Sequence, residues 1–158
     1  MPIDKNELRR VMGHFATGVT VITTFRKSGE LHGLTANAFT SVSLTPPLVL
    51  ICVDKKAESY PCFEESGVFN VNILASDQED ISRRFAVSGG NKFEGVSYRL
   101  GANGAPILAG TLGYIECKVV STYEGGDHTI YVGEVQEAET RDAKPLLFFR
   151  GGYRMLGD

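Results

Sequence analysis

Leu112 to Ala138 reads LGYIECKVVSTYEGGDHTIYVGEVQEA. Its first part, Leu112 to Tyr123, alternates along the chain, as a strand with two unlike faces does. Glu124-Gly125-Gly126-Asp127 supplies turn residues, and His128 to Ala138 returns as the partner strand. The stretch therefore predicts a long antiparallel hairpin.

Upstream, the same character repeats. Val19 to Phe25 (VTVITTF) is rich in β-branched residues and predicts a strand. Lys27-Ser28-Gly29-Glu30 is a turn, and Leu31 to Ala36 completes a second hairpin. Phe39 to Leu44 alternates apolar and hydroxyl residues before the Pro46-Pro47 pair breaks the chain. Leu48 to Val53 (LVLICV) is apolar on both faces and is expected to be buried. Val68 to Leu74, Leu146 to Phe149 and Tyr153 to Leu156 are further strand candidates.

Three segments read as helices. Asp4 to Thr17 has Asp4 as cap, Glu7 three residues on, and Leu8, Val11, Met12 and Phe15 at helical spacing. Ala57 to Glu65 is a short one. Ser76 to Ala86 has Ser76 as N-cap, acids in its first turn, and Arg83 and Arg84 near its end. A glycine-rich loop, Val87 to Gly95, follows it. Six or seven strands joined mostly by hairpins, with two or three short helices, predict a mainly β antiparallel barrel in one domain, 1–158. At 158 residues one core is affordable, with little left for a second. No alternating βαβ pattern is present, which argues against a parallel nucleotide-binding fold.

A net charge of −3 argues against binding nucleic acid, whose phosphates call for a basic surface. No apolar run reaches the roughly 20 residues of a bilayer span. Met1 to Arg10 is charged and lacks the apolar segment of a secretory signal, so no membrane contact and a cytoplasmic location are expected. Cys52, Cys62 and Cys117 are odd in number and lack CxxC spacing, so each is expected to be a small buried hydrophobe. The chain has no GxGxxG, GxxxxGK[ST], GxSxG or HExxH. His14, His32 and His128 are widely separated, so no metal site is expected.

Gly33 to Ser43 (GLTANAFTSVS) is the most unusual stretch, packing Thr35, Asn37, Thr40, Ser41 and Ser43 between two apolar strands. Hydroxyls and an amide at a barrel corner can donate to a polar ligand, and Ala36 and Ala38 let backbone N–H groups approach it. The alternative is an ordinary turn whose side chains cap local backbone. Val53-Asp54-Lys55-Lys56 and Ser59 lie where a core strand surfaces, as a pocket rim or a plain strand end. Phe85-Ala86 and Lys92-Phe93 flank the glycine-rich loop: Lys92 could bind a phosphate and Phe93 could cover an aromatic ring, or both are filler. His128, on a hairpin rim beside Asp127, could reach a ligand or stand idle in solvent.

Read together, FATGVTVIT (Phe15 to Thr23), GLTANAFTSVSLTPPLVLICVD (Gly33 to Asp54), FNVNIL (Phe69 to Leu74), Phe85-Ala86, KFEGV (Lys92 to Val96), GAPIL (Gly104 to Leu108), GDHTIYVGEV (Gly126 to Val135) and PLLFFRGGY (Pro145 to Tyr153) resemble the flavin reductase-like family. These are reductase components of two-component flavin-dependent monooxygenases. The TANAFTSVS…PPL and GDH…VGEV pair is the specific part. The resemblance implies an FMN-binding type of split β-barrel acting as a homodimer, with the flavin ring at the subunit interface. It implies that Thr35, Ala36, Asn37, Ala38, Ser41, Val42, Cys52, Val53, Asp54 and Lys55 line the flavin. Ser59 would lie near its phosphate or ribityl chain, and Phe85, Ala86, Lys92 and Phe93 would complete the phosphate end. His128, in the catalytic role, and Tyr153 would sit by the nicotinamide. Many relatives carry Arg in place of Lys92, which would cost a bidentate phosphate contact.

The implied activity is hydride transfer from NAD(P)H to FMN or FAD, with a monooxygenase reached by diffusible reduced flavin. Such chemistry belongs to the cofactors and needs orientation from the protein, which agrees with the lack of a catalytic triad. Two rivals share the fold: a pyridoxamine-phosphate-oxidase-like flavoenzyme, for which the chain offers few basic residues, and a flavin-binding or storage protein without reductase activity. A third is a plain structural β-domain.

Overall fold

The computed structural model describes residues 2–157. Helix α1 (Lys5–Met12) is capped by Asp4, whose Oδ1 accepts from Asn6 N–H at 2.8 Å. Twelve strands follow in order with two more helices. They are β1 (Thr17–Gly18), β2 (Thr20–Phe25), β3 (Leu31–Ala36), β4 (Phe39–Leu44), β5 (Pro47–Asp54), α2 (Tyr60–Ser66), β6 (Val68–Ile73), α3 (Glu79–Phe85), β7 (Tyr98–Leu100), β8 (Pro106–Leu108), β9 (Gly113–Gly125), β10 (His128–Thr140), β11 (Leu146–Phe149) and β12 (Gly152–Met155).

The main sheet has seven strands in the order β3-β2-β6-β9-β10-β5-β4, all antiparallel. The expected hairpin is β9–β10, closed by Gly126-Asp127 with Gly126 at φ 70°. The two edge strands, β3 and β4, are joined by Asn37-Ala38 alone. Six strand spacings laid flat would span about 29 Å, whereas the three Cα steps from Ala36 to Phe39 reach about 11 Å. The sheet must therefore curl until its edges stand side by side at that corner, which makes a barrel with one open seam.

Two cores result where one was expected. Ile22, Val49, Ile51, Val53, Phe63, Phe69, Val71, Cys117 and Tyr131 fill the barrel. Val19, Val21, Leu74, Phe85, Phe93, Leu108 and Leu146 form a second cluster outside it. Strand β2 serves both, because Ile22 points inward and Val21 outward. Asn70 and Asn72, both fully buried, strap the second layer on: Asn70 Nδ2 donates to Ala105 O at 2.9 Å, and Asn72 Oδ1 accepts from Leu108 N–H at 2.9 Å.

Several expectations need correction. Strand β5 buries one face only: Val49, Ile51 and Val53 are in the core, while Leu48, Leu50 and Cys52 are half-buried. Helix α1 ends at Met12, and no residue of it is buried. Its apolar positions Leu8, Val11 and Met12, and Phe15 beyond, all lie at the surface. Helix α3 begins after Gln78 instead of Ser76, because the Gln78 side chain is fixed to Ala75 N–H and Ala109 O, at 2.9 and 3.0 Å. Strands β7 and β8, three residues each, were not expected.

Candidate functional site

Strand β3 is an edge, so alternate peptide groups on it have no partner strand. Ala36 O accepts from Thr20 Oγ1 on β2, whereas Gly33 O accepts from Lys92 Nζ and Ser59 Oγ outside the sheet. By the two-residue period, the peptide groups of Gly33 and Thr35 face away from β2 and those of Leu34 and Ala36 face it. The outward peptide groups of Gly33 and Thr35 therefore serve whatever lies beside β3, as Gly33 O does for Ser59 and Lys92.

Beside it lies a groove in three sections. Val19, Thr35, Ala36, Asn37, Ser82, Ala86, Phe148 and Tyr153 line the first, of about 250 Å³. Thr35, Asp54, Ser59, Phe85, Ala86 and Lys92 contribute to the second, of about 290 Å³. The third and largest, about 670 Å³, shares Lys92 with the second and reaches Tyr98. Thr35 and Ala86 are common to the first two sections, so the three run together along β3.

The walls are held by specific contacts. Gly33 lets Phe85 pack closely against β3, since a Cβ there would stand 2.9 Å from the Phe85 ring. Thr35 Oγ1 donates to Ser82 O at 2.6 Å, tying α3 to the strand. Ser82 Oγ meets the Tyr153 hydroxyl at 2.6 Å, and the Arg83 guanidinium sits 4.9 Å over the Tyr153 ring. Glu58 Oε2 accepts from Gly89 N–H at 2.8 Å and anchors the glycine-rich loop across the groove.

Lys92 and Lys56 are the cations of the middle section, and Lys92 is the half-buried one. Its ammonium donates to Gly33 O at 3.3 Å and has no carboxylate within ion-pair distance among the described residues. Burial pushes its pKa below the ordinary lysine value, and the carboxylate of Glu58 pushes back. Such an ammonium is a ready anion contact.

Of the residues singled out in the sequence, Thr35, Ala36, Asn37, Asp54, Ser59, Phe85, Ala86, Lys92, Phe93 and Tyr153 line the groove. The others stand elsewhere. Val53 points into the barrel core, on the opposite side of β5 from Asp54. Ser41 and Val42 are exposed on β4, with Val42 at its bulge. Ala38 O takes Cys52 N–H at 3.2 Å, and Lys55 forms an ion pair with Glu124. His128 lines none of the three sections; it stands directly across from Asp54, one strand away. Its Nδ1 meets Asp127 Oδ1 at 2.7 Å, a pairing possible because Asp127 belongs to the turn and not the strand. The imidazole draws the Asp127 carboxyl below its usual range.

Burial pushes the Cys62 thiol up to about 11 and that of Cys117 to about 12, so both are unreactive thiols. Sequence reasoning missed His32, Glu58, Ser82 and Tyr98 as groove residues. They come from four separate places, His32 on β3, Glu58 in a turn, Ser82 on α3 and Tyr98 on β7, and no motif unites them.

Residues 12–157 match the family model described as a flavin reductase like domain. The chain is 41% identical to a flavin reductase of Pseudomonas putida, over 96% of this chain and 89% of that one. It is 46% identical to an NADH-dependent FAD reductase of Streptomyces globisporus, over 96% and 85%. Among solved structures, the Streptomyces globisporus NADH:FAD oxidoreductase in complex with NAD and FAD fragments superposes with a TM-score of 0.93. That pair shares 44% identity and covers 98% of this chain and 93% of the other.

Proposed function

This chain belongs to the flavin reductase-like family, and on that premise we propose that it transfers a hydride from NAD(P)H to FMN or FAD along the β3 groove. The observation that carries the reading is the open edge of β3, whose outward peptide groups line the same groove as the half-buried Lys92. A flat, hydrogen-bonding, phosphate-bearing molecule fits that combination: an edge strand for its polar rim, a groove for its body, an ammonium for its charge.

When bound, the flavin supplies the hydride-accepting chemistry. The chain's own work is placement. Outward N–H groups of β3 orient the ring edge and oppose negative charge that develops there. Asn37 and Thr35 stand at the ring end, while Ser59 and Lys92 take the phosphate end. Tyr153 and Phe148 form an apolar wall that excludes water from the first section. His128, steadied by Asp127, contacts the nicotinamide from the neighbouring strand end and holds no proton in transit.

A second copy of the chain completes the site in this reading. Support comes from apolar surface: Leu44 is 93% exposed and Val42 48% on β4, and Leu8, Val11, Met12 and Phe15 of the N-terminal segment are exposed as well. A monooxygenase that consumes the reduced flavin is the proposed downstream partner, as several relatives are named as reductase subunits or components of monooxygenases. Among the described residues no helix is long and apolar enough to cross a membrane. That agrees with a cytoplasmic site of action.

The test is steady-state oxidation of NADH and of NADPH by the purified protein with FMN or FAD added. Oxidation that depends on added flavin is the expected result. A protein that binds flavin but oxidises neither nicotinamide is a carrier, and the reductase reading fails.

A further inference from the structure

The groove does not end at Lys92. Lys92 is the wall between the middle section and the largest one, so whatever reaches its ammonium from the Ser59 side has about 670 Å³ of space beyond. A mononucleotide whose phosphate meets Lys92 stops at this wall and leaves the space unused. A dinucleotide continues into it.

We infer that the large cavity takes the adenosine half of FAD, so that this reductase selects FAD over FMN. The inference rests on the reading of the β3 groove as the flavin site and extends it past the phosphate.

Three features of the lining suit an adenosine. The first is charge. Glu30, Glu58 and Glu94 face the cavity against the single ammonium of Lys92. Such a lining repels a phosphate inside the cavity but accepts an adenosine, which is uncharged; the pyrophosphate of FAD, itself anionic, stays at Lys92. The second is hydrogen bonding. A carboxylate only accepts, and a ribose diol offers two donors. Glu30 Oε1 is engaged by His32 Nε2 at 2.9 Å and Glu58 Oε2 by Gly89 N–H at 2.8 Å. Those contacts fix both side chains and leave the second oxygen of each to accept. The third is an aromatic surface. Tyr98 is 41% exposed and is held edge-on by Phe93, with ring centres 5.4 Å apart. A purine can stack on its open face.

The experiment measures equilibrium dissociation constants of FMN and FAD by quenching of flavin fluorescence, without turnover. The parent chain is expected to bind FAD at least about tenfold more tightly than FMN. Tyr98→Ala should cut that preference about tenfold, and Tyr98→Phe, which keeps the ring, should retain it. AMP should displace FAD and leave bound FMN in place. If Tyr98→Ala does not fold, Glu30→Gln carries the same comparison, with a fall in preference of about threefold expected. Equal affinity for the two flavins overturns the inference while leaving the reductase reading intact. So does a preference that the substitutions leave unchanged, or AMP that competes with NADH instead of FAD. Binding of neither flavin overturns the inference and the reductase reading together.

Discussion

Along β3 the open edge of the sheet is roofed by α3 and the glycine-rich loop, whereas along β4 the open edge is bare. The β3 edge spends its outward carbonyl on Ser59 and Lys92, its Thr35 hydroxyl on Ser82, and its one glycine on the Phe85 ring. The β4 edge has hydroxyls and two exposed apolar side chains, with a bulge at Val42. An unpaired strand invites pairing or aggregation unless something is done with it. The contrast shows two remedies in one sheet: a cation and polar groove suited to a small ligand, and an apolar strip suited to a protein surface.

The sharpest way to break this contrast is at the bare edge. Leu44→Asp should abolish the proposed self-association. In that dimer two leucine contacts would be lost, about 3 kcal/mol or more than a hundredfold in the association constant. Sedimentation velocity reads this directly, and variant and parent sedimenting alike would remove β4 from the subunit contact. On the roofed edge, Gly33→Ala forces a methyl against the buried Phe85 ring. Overpacking of this kind costs about 2 kcal/mol, so Tm should fall by about 4–8 °C, with flavin binding lost as the ring is displaced.

Lys92→Ala should weaken flavin binding about tenfold while leaving Tm near that of the parent, because the half-buried ammonium serves the ligand and not the fold. The pH dependence has a definite sign. Burial holds the Lys92 pKa below the ordinary lysine value, so the charge, and with it flavin affinity, is lost as pH rises through that lowered value. Lys92→Arg should flatten this profile, since a guanidinium stays charged. The smallest effect is expected at His128, whose side chain is 39% exposed. His128→Ala should raise the KM for the nicotinamide about threefold, and unchanged kinetics would take the residue out of the site.

The barrel was legible because its strands obey period two: every strand of the main sheet lies close to where alternation or β-branched runs place it. The second core was not, since β2 reads simply as a β-branched run, and nothing local says that its two faces meet different partners. The start of α3 was misplaced because Gln78 is fixed by Ala109, a residue 31 positions away. Of the site, Lys92, Ser59, Thr35 and Ala86 were found through resemblance. Val53 and Asp54 could have been separated by parity alone, as neighbours on a strand cannot share a face. The largest section stayed hidden because Glu30 and Glu58 come from unrelated loops and Tyr98 from the short strand β7.

Two peptide-linked residues, Asn37 and Ala38, close the perimeter of the sheet where hydrogen bonds do not. The separation of the two edges at that corner is thus set by covalent connectivity, and the loss of any one ladder hydrogen bond leaves it unchanged.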